Sequence, residues 1–183
     1  MRKIILYAAY SLDGYLAKSD GSVAWMKGQG DIENPDLGYE TFLATIDTII
    51  MGRTTYQQLI TELSPGKWVY PDKKCYVVAS QPMAFDPNIE VITNDLIEFF
   101  KGLKQQDGQD IWLVGGAKLI DLFMQEELID KYIVTIIPTL LGSGIPLFMG
   151  DYPEVELRLS GVKSTDGMVE LTYVKRETSL ESL

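Results

Sequence analysis

Two hydrophobic runs that end in glycine and lead into helix-like segments carry the clearest chemical signal in this chain of 183 residues. They are residues 48–56 (TIIMGRTTY) and residues 111–118 (IWLVGGAK). A β-strand that stops at glycine and turns into a helix leaves free backbone N–H groups at the positive end of the helix, and such an end suits a phosphate. Two such turns predict a dinucleotide held between them.

The charge balance limits the possible partners. The net charge is −10 and the acidic residues are scattered along the chain, so a sequence-independent grip on nucleic acid or on an anionic membrane is not expected. A ligand that carries phosphates would need local basic groups, which Arg53 and Lys118 could supply beside the two turns. The expected partner is a small-molecule substrate.

The sequence contains no histidine, which removes whole classes of mechanism. It excludes a Ser-His-Asp or Cys-His nucleophile system, an HExxH zinc site and an imidazole proton shuttle, and we predict no metal site. Acid-base work must come from carboxylates, tyrosine, lysine, Cys75 or water. Cys75 is the single cysteine, so an intramolecular disulfide is impossible.

The length and the hydrophobic share of 46% suit one domain with a well-buried core. We assign residues 1–177 to that domain and residues 178–183 to a loose tail. The sequence shows no apolar run of membrane-spanning length, and Met1-Arg2-Lys3 leads straight into a strand-like segment rather than a secretory signal. The cytoplasm is therefore the expected location.

Strands and helices are predicted to alternate through the first two thirds of the chain. The predicted strands are 3–10, 48–52, 74–79, 89–92, 110–114 and 131–137, and the predicted helices are 35–46, 54–62, 95–104 and 117–126. Residues 15–17 are expected in a surface loop and residues 138–148 in a glycine-rich connection. Segments 156–163 and 168–175 are typical of an antiparallel hairpin. The pattern predicts an α/β fold whose mainly parallel sheet is flanked by helices and has an antiparallel C-terminal edge.

The order of these motifs resembles a known family. Residues 49–56, 77–82 and 112–116 are similar in order and spacing to the dihydrofolate reductase fold, which implies three layers. Residues 9–17 and 137–148 resemble one branch of it more closely. That branch contains the reductase domain of bifunctional riboflavin-biosynthesis proteins and small stand-alone homologues.

The resemblance implies that NADPH is the cofactor. Gly52 would permit close backbone approach to the pyrophosphate, with charge and hydroxyl contacts from Arg53 and Thr54. Ser80 would lie near the adenosine 2′-phosphate. The full set of implied cofactor contacts is Ala9, Gly52, Arg53, Thr54, Ser80, Gly115, Gly116, Ala117 and Lys118.

Several of these cofactor positions also have a purely structural interpretation. Gly52 and Arg53 could form a tight turn with a solvated arginine, and Ser80 could simply end a strand. Lys118 is as well explained as a solvated helix residue. For Gly115 and Gly116, two glycines at a helix start carry an entropic cost that turning alone seldom requires, which favours the ligand role.

Two acids are candidates for the carboxylate that binds the substrate. By its distance before the Gly52 turn, Asp36 matches the family carboxylate that binds the substrate ring edge and supports protonation, although an aspartate also suits any helix start. Glu40, one helical turn further on, is the alternative acid. Tyr39 could line a ring pocket, and Asp13 and Leu141 are implied substrate contacts. Asp13 could instead only form an Asp-Gly turn.

The resemblance therefore implies an NADPH-dependent reductase of a small nitrogen heterocycle, with a 5-amino-6-(5-phosphoribosylamino)uracil-like compound as the expected acceptor. Dihydrofolate is a competing acceptor, and a non-catalytic NADP(H)-binding paralogue is the alternative of another class. The branch commonly forms homodimers through its C-terminal region. The apolar stretch 133–148 and the hairpin beyond it lead us to expect a homodimer here too.

Overall fold

The computed structural model describes residues 1–81 and 89–176, so Pro82 and the predicted tail lie outside it. Within these residues an eight-stranded sheet has the order β5-β4-β3-β6-β1-β7-β10-β9. The strands are β1 Ile4–Ser11, β3 Ile46–Gly52, β4 Lys74–Val78, β5 Ile89–Ile92, β6 Asp110–Gly115, β7 Lys131–Ile137, β9 Leu157–Thr165 and β10 Met168–Lys175. The strands from β5 to β7 in this order pair in parallel, whereas β10 and β9 pair antiparallel. The predicted α/β class is confirmed, with its antiparallel C-terminal edge.

Helices cover both faces of the sheet and make three layers. They are α1 Tyr39–Leu43, α2 Arg53–Gln58, α3 Leu96–Gln105 and α4 Ala117–Gln125. Phe100 of α3 and Phe123 of α4 pack with Ile4 of β1 in one core, while Phe42 of α1 packs with Ile5 in the other. Successive residues of a strand point to opposite faces, which is why the central strands read as continuous apolar runs.

Two helix predictions need correction. The helix predicted over 35–46 covers only Tyr39–Leu43, because Gly38 before it adopts a left-handed φ of 102° that interrupts the helical path. The helix predicted over 54–62 is α2 followed by a π-helical turn, Leu59–Leu63. The apolar residues of both segments have helical spacing in the sequence. The backbone geometry nevertheless shortens the first helix and ends the second in a π-helical turn.

The loop prediction for residues 15–17 is wrong. They form a short strand, β2 Tyr15–Ala17, which pairs antiparallel with β8 Ile145–Pro146. Strand β8 lies inside the predicted glycine-rich connection. Runs of two or three residues carry no detectable periodicity, so this pairing is visible only in three dimensions.

Much of the apolar segment 133–148, on which the homodimer prediction rests, is buried inside the chain's own fold. Strand β7 lies between β1 and β10, and Ile133, Val134 and Ile137 are buried within the chain. The edge strand on this side of the sheet is β9, where Leu159 and Val162 are exposed. The homodimer stays a prediction. Across the ranges that the structure describes, no helix combines the length and apolarity needed to cross a membrane.

A buried ion pair ties α3 to the start of β1. The Lys104 ammonium donates to the Asp130 carboxylate at 2.9 Å and to the Leu128 carbonyl at 3.3 Å. The other Asp130 oxygen accepts the Ile4 backbone N–H at 2.8 Å. Exposed fractions are 11% for the Lys104 side chain and 29% for that of Asp130, so the pair is largely removed from water.

Replacing Asp130 with alanine should therefore destabilise the fold. Removing one partner of a buried pair costs about 3 to 5 kcal/mol, and the partial exposure of Asp130 lowers our expectation to about 2 to 3 kcal/mol. Urea unfolding would measure the loss, with the exposed Glu154→Ala as a control. A loss no greater than that of the control would contradict the role given to this pair.

Candidate active site

A cavity of about 920 Å³ lies along the carboxyl ends of the parallel strands. Its wall receives residues from β1, β3, β4, β6 and β7, because these ends meet at one edge of the sheet. Ligands of open parallel sheets bind at this edge. Small-molecule pockets span roughly 300 to 1,000 Å³, so the volume accommodates a large ligand.

The two glycine turns meet side by side in this wall. A methyl-sized group on Gly52 would lie 3.7 Å from the backbone nitrogen of Gly116, and one on Gly116 would lie 3.4 Å from the Thr55 hydroxyl. Gly115 has a φ of +115°, a conformation that side chains rarely tolerate. The peptide bond between Gly115 and Gly116 is cis. The two predicted turns thus form one continuous backbone surface.

Most of the predicted cofactor residues line the same cavity as the two glycine turns. The predicted residues that line it are Ala9, Gly52, Arg53, Thr54, Ser80, Gly116 and Lys118. Arg53, Ser80 and Lys118 are exposed, so their polar groups are available to a ligand. Gly115 and Ala117 are buried and shape the turn from behind.

Another part of the cavity wall is formed by aromatic side chains. Tyr7, Tyr39 and Trp112 line it. The Tyr7 ring stacks on Phe42 at 4.2 Å between centroids, and the Trp112 indole N–H donates to the Tyr7 carbonyl at 3.0 Å. The hydroxyls of Tyr39 and Tyr70 lie 2.9 Å apart. These contacts hold a fixed set of flat, partly polar surfaces that suits a planar ring.

Tyr7, Trp112 and Glu170 are not among the site residues predicted from the sequence. Burial raises the pKa of the Tyr7 hydroxyl, and the nearby carboxylates of Glu170 and Asp36 raise it further. Glu170 itself is buried on β10, between Met168 and Thr172 on the same strand face. An acid at an inward position of a strand is a recognisable signal, but it can be read only once the strand register is known.

Asp36 lies in the cavity wall and also caps α1. One of its oxygens accepts the backbone N–H groups of Gly38 at 2.8 Å and Tyr39 at 2.9 Å, and these bonds hold its pKa below the usual value. The group is therefore ionised at neutral pH, ready to accept N–H donors. Glu40 is exposed and does not line the cavity. The acceptor role of either acid stays a prediction.

Asp13 and Leu141 are brought together, but away from the main cavity wall. The Asp13 carboxylate accepts the Ser11 hydroxyl at 2.6 Å and the backbone N–H groups of Leu141 at 3.1 Å and Gly142 at 2.7 Å. The hydroxyl bond is the largest of the effects that lower its pKa. This geometry fastens the loop after β1 to the connection before β8, and substrate contact by either residue stays a prediction.

The sequence model of one protein family, the RibD C-terminal domain, matches residues 2–171, nearly the whole chain. The chain belongs to the RibD C-terminal domain family. This confirms the resemblance that the motifs indicated. An uncharacterized protein of Bacillus subtilis (strain 168), YwjB, is 43% identical over 180 residues, which are 95% of this chain and 98% of that protein.

Solved structures agree with the RibD C-terminal fold. A Shewanella sp. PV-4 protein assigned to riboflavin biosynthesis superimposes with a TM-score of 0.83 at 25% identity, covering 96% of this chain and 99% of that one. A Thermotoga maritima diaminohydroxyphosphoribosylaminopyrimidine deaminase/5-amino-6-(5-phosphoribosylamino)uracil reductase gives a TM-score of 0.71 at 16% identity. It matches 96% of this chain but 57% of its own length, and this likeness shows the shared fold.

In this RibD C-terminal domain, the segment from 18 to 38 forms one side of the cavity and is held by Asp166. The buried Asp166 carboxylate accepts the backbone N–H groups of Gly30 at 3.2 Å, Asp31 at 2.7 Å and Ile32 at 3.2 Å. The Asp166 carbonyl accepts the Gln29 N–H at 2.9 Å. A side chain on Gly28 would collide with Asp166. The turn of the C-terminal hairpin therefore anchors a cavity wall.

Replacing Asp166 with asparagine should loosen this wall without disturbing the hairpin turn, since asparagine tolerates the positive φ of 48°. Hydrogen bonds to a charged group contribute about 1.5 to 3 kcal/mol, so amide exchange at residues 30–32 should accelerate about tenfold or more. Asp95→Asn is the matched control, because Asp95 has a φ of 50° and makes no side-chain cap bond. Unchanged exchange at residues 30–32 would refute the anchoring role.

Proposed function

We propose that this protein is an NADPH-dependent reductase that transfers hydride to a small nitrogen heterocycle, in the manner of a 5-amino-6-(5-phosphoribosylamino)uracil reductase. The observation that carries the proposal is a single cavity whose wall contains both glycine turns and a set of aromatic side chains. Membership of the RibD C-terminal domain family supports the same chemistry.

The wall around the glycine turns fits a dinucleotide with 2′-phosphate. Gly52 and Gly116 present backbone where a side chain would narrow the space, and α2 and α4 begin at these turns. Arg53 and Lys118 supply positive charge in a protein of net charge −10, while Ser80 offers a hydroxyl for the 2′-phosphate. Bound here, NADPH would supply the hydride, since that chemistry belongs to the cofactor.

The residues of the aromatic wall would bind and orient the acceptor. Tyr7, Tyr39 and Trp112 offer faces and edges to a planar ring. The apolar side chains of Leu16, Ile137 and Ile145 lie in the same cavity wall. Together they keep water from the place where hydride must pass.

Dihydrofolate is the second candidate acceptor, because the ionised Asp36 carboxylate in the wall can pair with two ring N–H groups. Purified protein should be assayed with NADPH against a panel of pterins and ribosylaminopyrimidines, following the loss of NADPH absorbance. Oxidation with a ribosylaminopyrimidine supports the first candidate, and oxidation with dihydrofolate alone supports the second. Binding of NADPH without turnover of any acceptor would favour a non-catalytic NADP(H)-binding protein.

NADPH should bind more tightly than NADH, and Arg53→Ala should weaken NADPH binding. The loss should be about 1.5 to 3 kcal/mol, the scale of a hydrogen bond to a charged group. Titration calorimetry with both cofactors measures this. Arg158→Ala is the control, because it removes the same charge from an exposed position on β9 that does not line the cavity. Equal affinity for both cofactors, unaffected by Arg53→Ala, would contradict the assignment of NADPH as the cofactor.

Asp36→Asn tests the acceptor carboxylate. The amide oxygen can still accept from Gly38 and Tyr39, so the start of α1 should survive, but the lost charge should raise KM about 10- to 100-fold with the acceptor that is turned over. A fall in kcat of about 10²- to 10⁴-fold would instead identify a proton-transfer role. Glu40→Gln is the matched control and should leave both parameters unchanged. Loss of turnover in Glu40→Gln, with full activity in Asp36→Asn, would transfer the role to Glu40.

A further inference from the structure

The strand register places Glu170 on the face of the sheet that forms the cavity wall. Glu170 pairs with Thr135 of β7, and Thr135 pairs with Ala9 of β1. Directly paired residues point to the same side of a sheet. Thr135 and Ala9 line the cavity, as does Met168, which is two residues before Glu170 on the same face of β10. Glu170 therefore shares a face of the sheet with these wall residues, although it does not itself line the cavity.

The Glu170 carboxylate is poorly satisfied for a buried charge. The residue is 3% exposed, and among the described residues its Oε2 atom has no hydrogen-bond partner of ordinary geometry. Its Oε1 atom lies 3.5 Å from the Lys163 ammonium, whose side chain is largely exposed. Burying a carboxylate with so little compensation is costly.

Other buried charged groups in the described ranges are better satisfied. Arg2 donates to Asp47, to the Thr48 hydroxyl and to the Gln109 carbonyl, and Lys104 and Asp166 each make several hydrogen bonds. Among these described residues, Asp121 is the other one with an unpartnered buried oxygen. Asp121 does not line the cavity. Proteins retain groups that reduce local stability mainly at functional sites. An unsatisfied acid beside a binding cavity therefore points to a functional role.

Tyr7 connects Glu170 to the cavity, because Tyr7 lies two residues before Ala9 on the same face of β1. It lines the wall, and its hydroxyl is close enough to Glu170 for the carboxylate to act on its pKa. A tyrosine hydroxyl has one donor and two acceptor lone pairs. When the hydroxyl donates to the carboxylate behind it, its oxygen faces the cavity as an acceptor. Such hydrogen bonds are often long in a ligand-free site and tighten on binding.

We propose that Tyr7 and Glu170 form the subsite that recognises an N–H edge of the acceptor ring, with Tyr7 in contact with the ring and Glu170 as its positioning residue. This inference rests on the proposed function and deepens it. The ligand class is a planar nitrogen heterocycle with N–H donors, of the aminopyrimidine kind. Asp36 adds a second negative charge near Tyr7, so this part of the cavity favours N–H donors over acceptor-only rings.

The test uses 2,4-diaminopyrimidine and unsubstituted pyrimidine as probes of similar shape with and without N–H donors. Titration calorimetry measures both, with and without saturating NADP+, on the wild type, Glu170→Gln and Tyr7→Phe. Glu154→Gln, which removes an exposed acid elsewhere, is the control. Thermal melting and the affinity for NADP+ are recorded for each variant.

The wild type and the control should prefer diaminopyrimidine by about 10- to 100-fold, the scale of a hydrogen bond to a charged or polarised group. Glu170→Gln and Tyr7→Phe should each reduce that preference about tenfold or more, with unchanged affinity for NADP+. Glu170→Gln should melt at the same or a higher temperature, because a poorly satisfied buried charge is removed. A purely structural Glu170 would lower the melting temperature and leave the preference intact.

Two outcomes overturn the inference. One is a wild type that binds NADP+ but shows no preference for diaminopyrimidine. The other is a preference that survives in both Glu170→Gln and Tyr7→Phe, and Tyr7→Phe decides the matter if Glu170→Gln fails to fold. A wild type that does not bind NADP+ contradicts the proposed function instead, while the titrations without NADP+ still test the subsite.

Discussion

The parallel ladder of main-chain hydrogen bonds from β5 to β7 brings the carboxyl ends of these strands to one edge of the sheet. Residues as far apart in the chain as Ala9, Gly52, Ser80, Gly116 and Thr135 then line one cavity. The ladder itself needs no polar side chains, so the wall positions are free to carry ligand-binding groups.

The cavity is electrostatically divided. Arg53 and Lys118 line the cavity beside the glycine turns, whereas Asp36 and Glu170 act on Tyr7 in the aromatic wall. The net charge of −10 would repel a phosphorylated ligand in general, so the local positive charge decides which part of the cavity receives the phosphates. Under the proposed function, this charge distribution would favour one direction of a bound dinucleotide, with its phosphates beside Arg53 and Lys118 and its nicotinamide toward the aromatic wall.

The sequence predicts the central strands well because the residue patterns that indicate a strand lie within short segments. Strand β7 is predicted with its observed ends, and β3 within two residues, because apolar runs and glycine boundaries are properties of short segments. The glycine turns were recognised for the same reason. The late start of α1 depends on the left-handed backbone at Gly38, which propensity does not reveal.

The unpredicted features depend on contacts between distant segments. The pairing of β2 with β8 and the grip of Asp166 on residues 30–32 join parts of the chain more than 100 residues apart. The position of Glu170 next to the cavity wall follows only from the strand register, which sets it opposite Thr135. Distance along the chain from the glycine turn therefore predicts Asp36, which lines the cavity, but cannot predict the acid on the last strand.

We propose that the two glycine turns hold the pyrophosphate of NADP(H) and direct its nicotinamide toward Tyr7. A crystal structure of the protein with NADP+ would show this binding mode. We expect electron density for the pyrophosphate against the backbone of Gly52 and Gly116, with the 2′-phosphate near Arg53 and Ser80. The nicotinamide ring should lie beside the aromatic wall of the cavity. Nucleotide bound in the reverse direction, or at a surface away from these turns, would refute this binding mode.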